Sequence, residues 1–280
     1  MHLNRCLLFA PAHDERKLGR ALTLDVDGLI LDLEDAVEAE NKATARESAR
    51  SFLGTHTGRF FVRLNAAASP YFLQDILLLA GAPLAGLVLA KTESAAELSR
   101  VDWLLGLLER EKGVDPGTTE IMPFIESARA LENAPAIAAA SPRVRRLLFG
   151  GNDYAADIGV AYGGPAFFHA RSRLVAVSRA HGLEPPVDTV NPDFQDLPAL
   201  AAEARTARRL GFQGKMAVHP AQVDVIRQIF TPTAAEVRDA ERIVAAFEAA
   251  GALTRLDGRM VELPQVKRAR RILAAAPGHD

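Results

Sequence analysis

The chain has 280 residues, of which 49% are hydrophobic and 24% charged, and its formal net charge is −2. These values are typical of a soluble globular protein with one large α/β domain or two smaller ones, and a charge this close to neutral gives no support for nucleic-acid binding. Cys6 is the one cysteine, so no internal disulfide can form, and no apolar run is long enough to span a membrane. We therefore expect a cytoplasmic protein with no nucleic-acid or membrane partner.

Short apolar segments rich in strand-forming residues recur along the chain and end in polar residues or glycine. They cover residues 6–10, 28–33, 60–64, 86–90, 121–125, 147–150, 187–190 and 216–218. Helix-like segments separate most of them, over residues 42–52, 94–111, 128–140, 166–181 and 197–210. Apolar strands that alternate with amphipathic helices indicate a parallel sheet covered by helices, and eight such units favour an α/β fold of the (β/α)₈ TIM-barrel type.

The seventh strand is the least regular of the eight, because prolines crowd both of its ends. An open, doubly wound sheet is the alternative architecture. That fold normally carries a glycine-rich turn after its first strand, whereas an Ala-Pro-Ala-His segment follows here. We therefore expect the barrel, formed by residues 1–230.

Residues 231–280 lie outside the eight-unit pattern and predict a C-terminal helical extension. A long helix is expected over residues 234–249, followed by a tight turn within 256–264 and a basic helix over 265–275. This extension is expected either to cap the barrel or to reach a neighbouring subunit.

The polar residues that follow each strand are the candidate site, because the active site of this fold lies at the C-terminal ends of the strands. In strand order they are Pro11, His13, Asp14, then Asp32, Glu34, Asp35, then Arg63, Asn65, then Lys91, Glu93, then Glu126, Asp153 and His219. The sequence therefore predicts a rim of carboxylates that faces a few cations.

Glu126 and Asp153 are the candidate metal ligands of this rim. They follow successive strands without a nearby cluster of Cys or His, and such a pair of hard oxygen donors suits Mg²⁺. The alternative is that both are solvated loop residues or helix caps, since Glu126 precedes Ser127 at a helix start. Asp157 is interpreted as a helix-start or supporting residue and not as a ligand.

Arg63 closes an apolar strand, where a guanidinium is well suited to hold a carboxylate substrate by two hydrogen bonds. An ion pair with Glu34 or Asp35 is the alternative, and the two roles are compatible. Strand alternation places Asp32 and Glu34 on the inward face and Asp35 on the other. For His219, a supporting hydrogen bond is at least as well motivated as acid–base work.

Six segments occur in one order along the chain: residues 8–12 (LFAPA), 31–37 (LDLEDAV), 62–65 (VRLN), 125–127 (IES), 149–153 (FGGND) and 214–220 (GKMAVHP). Through them the chain resembles the citrate lyase β-subunit-like proteins, which belong with the HpcH/HpaI aldolases and the malyl-CoA lyases. The resemblance extends from residue 5 to about residue 275.

The resemblance implies a Mg²⁺-dependent carbon–carbon lyase, often a homotrimer. It would cleave a 3-hydroxy-acyl thioester, such as citryl-CoA, citramalyl-CoA or malyl-CoA, into acetyl-CoA or an acyl-carrier-protein analogue and a 2-oxo acid such as oxaloacetate. It assigns Glu126 and Asp153 to the metal and Arg63 to the substrate. Pro11, Arg5 and Lys91 complete the expected substrate-binding set together with Glu126. A malyl-CoA-type thioesterase, or a β subunit active only within a citrate lyase complex, is the alternative.

The tail departs from the family in one position. In the acyl-CoA lyases a Met-x-Asp-x-Pro segment contributes its aspartate across a subunit interface as an acid–base residue, whereas this chain carries Glu262 in that place. The longer arm weakens a proton transfer that depends on geometry. The general base is therefore expected to be Glu262, Asp32 or Glu34.

Overall fold

The structure is a computed structural model that describes residues 4–251 and 253–276. The chain divides into two compact units, Asn4–Arg227 and the described residues from Gln228 onward. In the first unit eight parallel strands pair in sequence order, and the eighth pairs with the first, which closes a barrel. The predicted TIM barrel is confirmed, and closure excludes the open sheet.

The strands of the barrel are short, and two of them have two residues each. They are β1 (Cys6–Pro11), β2 (Gly28–Asp32), β3 (Phe60–Leu64), β4 (Gly86–Leu89), β5 (Glu120–Ile125), β6 (Leu148–Phe149), β7 (Val187–Asp188) and β8 (Gly214–Ala217). The prolines around β7 explain why it is shorter than predicted, because proline cannot donate to a strand ladder.

The helices that follow these strands include four that the sequence pattern did not predict, namely α1, α3, α6 and α9. The full set is α1 (Glu15–Leu22), α2 (Lys42–Thr55), α3 (Phe72–Leu79), α4 (Ala95–Glu111), α5 (Ala128–Ala138), α6 (Gly151–Asp157), α7 (Gly164–Ala180), α8 (Leu197–Leu210) and α9 (Val223–Phe230). The four that were missed have eight residues or fewer, which is too short to display a clear helical period.

Every strand contributes at least one buried apolar side chain to the interior of the barrel. These residues are Leu7, Ile30, Phe61, Val88, Met122, Phe124, Leu148, Val187 and Met216. The barrel is therefore a packed core that supports the site at its rim. Of the helices in the described residues, none combines the length and the apolar character needed to cross a membrane.

A buried ionic cluster, here called the β7–β8 network, joins these two strands to the helices outside them. Asp188 accepts from Arg171 Nε at 2.7 Å and pairs with Lys215 Nζ at 2.9 Å. Glu203 on α8 pairs with the same two cations at 2.5 and 3.1 Å. Asp188 and Lys215 are fully buried, and the two cations balance the two carboxylates.

The second unit consists of α10 (Ala234–Ala250), a hairpin of β9 (Thr254–Leu256) and β10 (Arg259–Val261), and α11 (Leu263–Ala274). Thr233 and Glu236 cap α10 reciprocally at its start. The predicted long helix is therefore present, the tight turn is a β-hairpin, and the last helix begins two residues earlier than expected. Its role as a cap or an arm stays a prediction.

Candidate active site

A cavity of about 1060 Å³ opens at the C-terminal ends of the barrel strands. Seven of the predicted rim residues line it together, which are Pro11, Asp32, Asp35, Arg63, Glu126, Asp153 and His219. The structure thus brings the carboxylates of several strands to one concave surface, as the strand-end argument expects.

Arg63 is held by three carboxylates. Its Nε and Nη2 donate to the two oxygens of Asp32 at 2.8 and 2.6 Å, and its Nη1 lies 2.9 Å from Glu34 and 3.1 Å from Asp35. Register explains the first contact, because Asp32 and Arg63 are paired neighbours on β2 and β3. The ion pair that was the alternative role of Arg63 is therefore present.

The alternation of side chains between the two faces of β2 ends at Asp32, the last residue of the strand. The backbone N–H of Glu34 donates to Asp32 Oδ1 at 2.9 Å, which turns the chain at the end of β2. As a result Glu34 and Asp35 both reach Arg63, although alternation predicted opposite faces. Asp35 remains half-exposed, with 54% of its side chain accessible, whereas Glu34 is buried.

The charge at this corner shifts several pKa values. Burial by itself lowers the pKa of Arg63, but the hydrogen bond and charge of Asp32, with Glu34 and Asp35, raise it well above its ordinary value. Burial raises the pKa of Glu34; Arg63 opposes that shift, and Asp35 adds to it. Arg63 is therefore a permanent cation, and Glu34 is a better proton acceptor than an exposed carboxylate.

Glu126 is a buried carboxylate at the end of β5, with 5% exposure. Burial raises its pKa to about 8, and the charges of Asp153 and Glu34 add to that rise against the hydrogen bond from Lys91. Ser127 and not Glu126 caps α5, through its hydroxyl at 3.1 Å from Ala130 N. The helix-cap alternative for Glu126 is therefore wrong.

Lys91 holds Glu126 through its backbone. Its φ of 51° lies in the left-handed region, which aims the Lys91 N–H at Glu126 Oε1, 2.5 Å away. A non-glycine residue in this conformation is strained and is found most often at functional sites. The Lys91 ammonium lies 3.0 Å from Glu34, so this residue connects two carboxylates of the site.

Asp153 lies in the first turn of α6, one residue beyond the pair Gly150 and Gly151. The two glycines line the cavity. A Cβ on Gly150 would overlap the Glu126 side chain, and one on Gly151 would lie 2.7 Å from Phe167. The glycines therefore also permit close packing beside Glu126 and Phe167.

The pair Glu126 and Asp153 fits a divalent cation. Both line the cavity, and the charge of Asp153 adds to the rise in the pKa of Glu126, which a cation between them would oppose. Within residues 4–251 and 253–276, no group of three or more His, Cys, Asp or Glu could hold a metal ion. A cation here would therefore take these two carboxylates and complete its shell with substrate and water, which is the habit of Mg²⁺.

Arg5 does not belong to this site. It precedes β1, so it lies at the N-terminal end of the barrel, and its Nη2 donates to Asp27 Oδ1 at 2.8 Å. Its carbonyl accepts from the backbone N–H of Lys215 at the start of β8. The expected substrate-binding role of Arg5 is inconsistent with this position, because parallel strands place their two ends on opposite faces of the barrel.

Three basic residues of α1 line the cavity and were missed by the sequence argument. They are Arg16, Lys17 and Arg20, all with exposed side chains. The signal was the helix start at Asp14, whose carboxylate caps α1 by accepting from Lys17 N at 2.9 Å. Once α1 is placed after β1, its first turns must face the rim.

His219 supports the cavity wall. Its Nδ1 accepts from the backbone N–H of Ala221 at 3.2 Å, and its ring stacks on Phe194 with centroids 4.6 Å apart. Asp157 accepts from the N–H of Ala128 at the start of α5, at 2.7 Å, and does not line the cavity.

Glu262 belongs to the second unit, where it precedes α11. It forms a capping box in which its backbone N–H donates to Gln265 Oε1 at 3.1 Å. Its expected role as a base stays a prediction.

Comparison with known proteins gives consistent matches. Residues 5–220 match the family described as HpcH/HpaI aldolase/citrate lyase, and residues 166–279 match one described as a C–C bond lyase of the TIM-barrel fold. The L-malyl-CoA/beta-methylmalyl-CoA lyase of Cereibacter sphaeroides is 33% identical over 98% of this chain and 94% of its own length. The citrate lyase subunit beta of Leuconostoc mesenteroides is 30% identical over 98% and 93%.

A solved structure is similar along the whole chain. Protein CitE from Mycobacterium tuberculosis, in complex with magnesium, acetoacetate and coenzyme A, has a TM-score of 0.81 at 28% identity and covers 98% of each chain.

Proposed function

This chain belongs to the HpcH/HpaI aldolase/citrate lyase family, and from that membership we propose that it is a Mg²⁺-dependent lyase of 3-hydroxy-acyl thioesters. The matching relatives are named as lyases, and the chain is a carbon–carbon lyase. Its proposed substrates are citryl-CoA and the related citramalyl-CoA and malyl-CoA, which would be split into acetyl-CoA and a 2-oxo acid.

One observation carries the proposal: Glu126 and Asp153 follow the neighbouring strands β5 and β6 and line one cavity, where burial, with the charge of Asp153 added, raises the pKa of Glu126 to about 8. We propose that these two side chains hold Mg²⁺. When bound, the ion supplies a Lewis acid for the oxygens of the 2-oxo acid portion. The chain's own contribution is to keep Glu126 in place through the Lys91 N–H.

The protein side of the reaction is a proton transfer and a charge stabilisation. A carboxylate accepts the hydroxyl proton, the carbon–carbon bond breaks, and the acetyl thioester leaves as its enolate, which is then protonated. Arg63 lines the cavity as a permanent cation, and we propose that it stabilises the charge on the enolate oxygen. Pro11 lines the same cavity and would limit the space beside the enolate.

Of the carboxylates in the barrel unit, Glu34 is the proposed base. Asp32 accepts four hydrogen bonds, from two nitrogens of Arg63 and from the N–H groups of Glu34 and Ala36. Those four bonds occupy the four lone-pair sites of the carboxylate, so none is left for a substrate hydroxyl. Glu34 has a raised pKa. Glu262 is the competing base, so a Glu262→Ala variant with unchanged turnover would remove it from the mechanism.

The carrier of the acyl group is the second part of the proposal. Arg16, Lys17 and Arg20 place three cations on the cavity wall formed by α1. Such a group suits the phosphates of coenzyme A, and the similar CitE structure contains coenzyme A. A phosphopantetheine on an acyl carrier protein offers one phosphate and would bind fewer of these three cations.

The test is an assay of the purified chain with citryl-CoA, citramalyl-CoA and malyl-CoA, with Mg²⁺ or with a chelator. We expect Mg²⁺-dependent release of acetyl-CoA and the matching 2-oxo acid in equal amounts. Release of free CoA instead would identify a thioesterase. Turnover only after partner subunits are added would identify a β subunit of a larger complex. No turnover of any thioester under all conditions would refute the proposal.

We further propose a homotrimer in the cytoplasm. Light scattering on the eluting peak of a sizing column, with and without Mg²⁺, determines the number of subunits. A monomer in both conditions would contradict the trimer.

A further inference from the structure

Lys42, the first residue of α2, is a buried lysine that the proposed reaction does not use. Its ammonium donates to the backbone carbonyls of Leu33 and Glu34 and to Asn65 Oδ1, each at 2.7 Å. The residue is 8% exposed. Three acceptors satisfy the three donors of the ammonium, so its geometry is fully determined.

The bonds of Lys42 continue into a wider framework. Asn65 follows β3, and its backbone N–H and side-chain amide both donate to Asp75 Oδ2, at 3.1 and 2.7 Å. Arg46, one turn after Lys42 on α2, donates to Asp75 Oδ1 at 2.8 Å. Each of these groups is buried. The ends of β2 and β3 are therefore tied to α2 and α3.

All three acceptors of Lys42 are neutral. A buried ammonium that forms no ion pair is costly, unless nearby negative charge compensates for its lost hydration. That charge is available at the rim, because Asp32, Glu34, Asp35 and Asp75 all favour the charged form of Lys42, against the burial that lowers its pKa. The Lys42 ammonium thus stabilises the negative charge of these carboxylates while its own hydrogen bonds go to neutral oxygens.

We infer that Lys42 is a positioning residue of this site, which fixes the carboxylates at the end of β2 opposite Arg63. The two carbonyls it binds belong to the peptide units on either side of Glu34, so their orientation decides where the Glu34 side chain points. That side chain reaches Arg63 at 2.9 Å and Lys91 at 3.0 Å. The kinetic part of this inference rests on the proposed lyase function.

A second buried lysine provides a matched control. Lys215 is fully buried, but it forms ion pairs with Asp188 and Glu203 in the β7–β8 network and has no contact with the end of β2. Replacing either lysine by methionine removes one buried ammonium from the barrel unit. Both changes are expected to destabilise the fold, so a loss of stability alone does not distinguish the two roles.

The experiment compares Lys42→Met, Lys42→Arg and Lys215→Met. We expect Lys42→Met to lower kcat by about 10²-fold while KM for the thioester changes by less than about threefold, because misplaced groups affect the chemical step more than binding. Lys42→Arg keeps the charge and is expected to recover about tenfold of that loss. Lys215→Met is expected to keep kcat within about threefold of the wild type.

Hydrogen exchange tests the positioning without any activity. In Lys42→Met, a peptide covering residues 33–37 is expected to exchange faster, and in Lys215→Met that peptide should match the wild type. If the wild type is inactive, the lyase proposal is refuted, and the exchange measurement alone tests whether Lys42 positions the end of β2. Equal kcat in Lys42→Met and wild type, or unchanged exchange at residues 33–37, would overturn the inference. Lys42→Gln, with a neutral donor, replaces Lys42→Met if that variant does not fold.

Discussion

Two clusters of charge in the barrel unit are built from the same residue types and differ in their balance. The β7–β8 network pairs two cations with two carboxylates, and Lys215 and Arg171 lower the pKa of Asp188 although burial opposes that shift. At the rim the carboxylates are in excess over the cations that touch them. They are Asp32, Glu34, Asp35, Glu126 and Asp153, against Arg63 and Lys91.

This contrast in charge balance separates a structural cluster from a candidate site. A balanced cluster is complete within the protein, because each charge has its partner. The rim leaves Glu126 with a pKa of about 8, which means that its charged form lacks a compensating cation. A divalent ion would supply that charge. The excess of carboxylates is consistent with the proposed metal site.

The largest expected effect comes from removing the proposed ligands. Glu126→Gln and Asp153→Asn should each lower kcat/KM by at least about 10³-fold, because the Lewis acid contributes several kcal/mol to the transition state. Both should also abolish thermal stabilisation by Mg²⁺. Glu132→Gln, on a side chain that is 75% exposed, is the control and should leave both quantities unchanged. Stabilisation by Mg²⁺ that survives in both ligand variants would place the ion elsewhere.

The next effect compares one arginine from each cluster. Arg63→Lys loses the two-point bond to Asp32 and should lower kcat by about 10²–10³-fold. Arg171→Lys loses the corresponding bond to Asp188 and should lower the free energy of unfolding by about 2 kcal/mol with kcat unchanged. Steady-state kinetics and urea unfolding measure both. Equal kinetic losses in the two variants would mean that the clusters do not differ in function.

A third effect follows from the pKa of Glu126. Its folded pKa of about 8 lies above its ordinary value of 4.5, so the folded metal-free protein binds more protons than the unfolded chain between these values. The free energy of unfolding should therefore fall as the pH rises from 4.5 to 8. Affinity for Mg²⁺ should rise about tenfold per pH unit below 8, because the ion needs the carboxylate.

Melting curves and titration calorimetry between pH 6 and 8.5 test this dependence. Glu126→Gln is the control. Its free energy of unfolding should not show the fall with rising pH that the Glu126 carboxyl contributes. Asp188 of the β7–β8 network should not make the free energy of unfolding depend on pH in this range, because its pKa is lowered and it stays ionised. An affinity for Mg²⁺ that does not change with pH would contradict the pKa assigned to Glu126.

The smallest effect concerns the strained backbone at Lys91. Lys91→Ala and Lys91→Gly both lose the ion pair with Glu34, but only glycine adopts a φ of 51° without strain. The free energy of unfolding should therefore be about 1 kcal/mol higher for Lys91→Gly than for Lys91→Ala. Urea unfolding measures the difference. Equal stability would mean that the left-handed conformation stores no strain.

The sequence predicted the barrel and the residues of its rim because both depend on local patterns. Apolar strands that end in polar residues identify the C-terminal face, so Glu126 and Asp153 were found without a structure. The substrate-binding role expected for Arg5 was wrong, because a residue that precedes β1 lies at the N-terminal end of the barrel. Arg16 and Arg20 were missed because α1 is too short to show its period.

Local patterns in the sequence predict the number and order of the strands and which strand ends carry carboxylates. Which of those charges are neutralised depends on the folded structure. Asp188 meets Lys215 and Arg171 from other elements, and Lys42 reaches the end of β2 from α2. Such partners are brought together by the packing of helices on the barrel, and no local pattern in the sequence records them. The balance of charge that makes the rim a site is therefore a property of the fold.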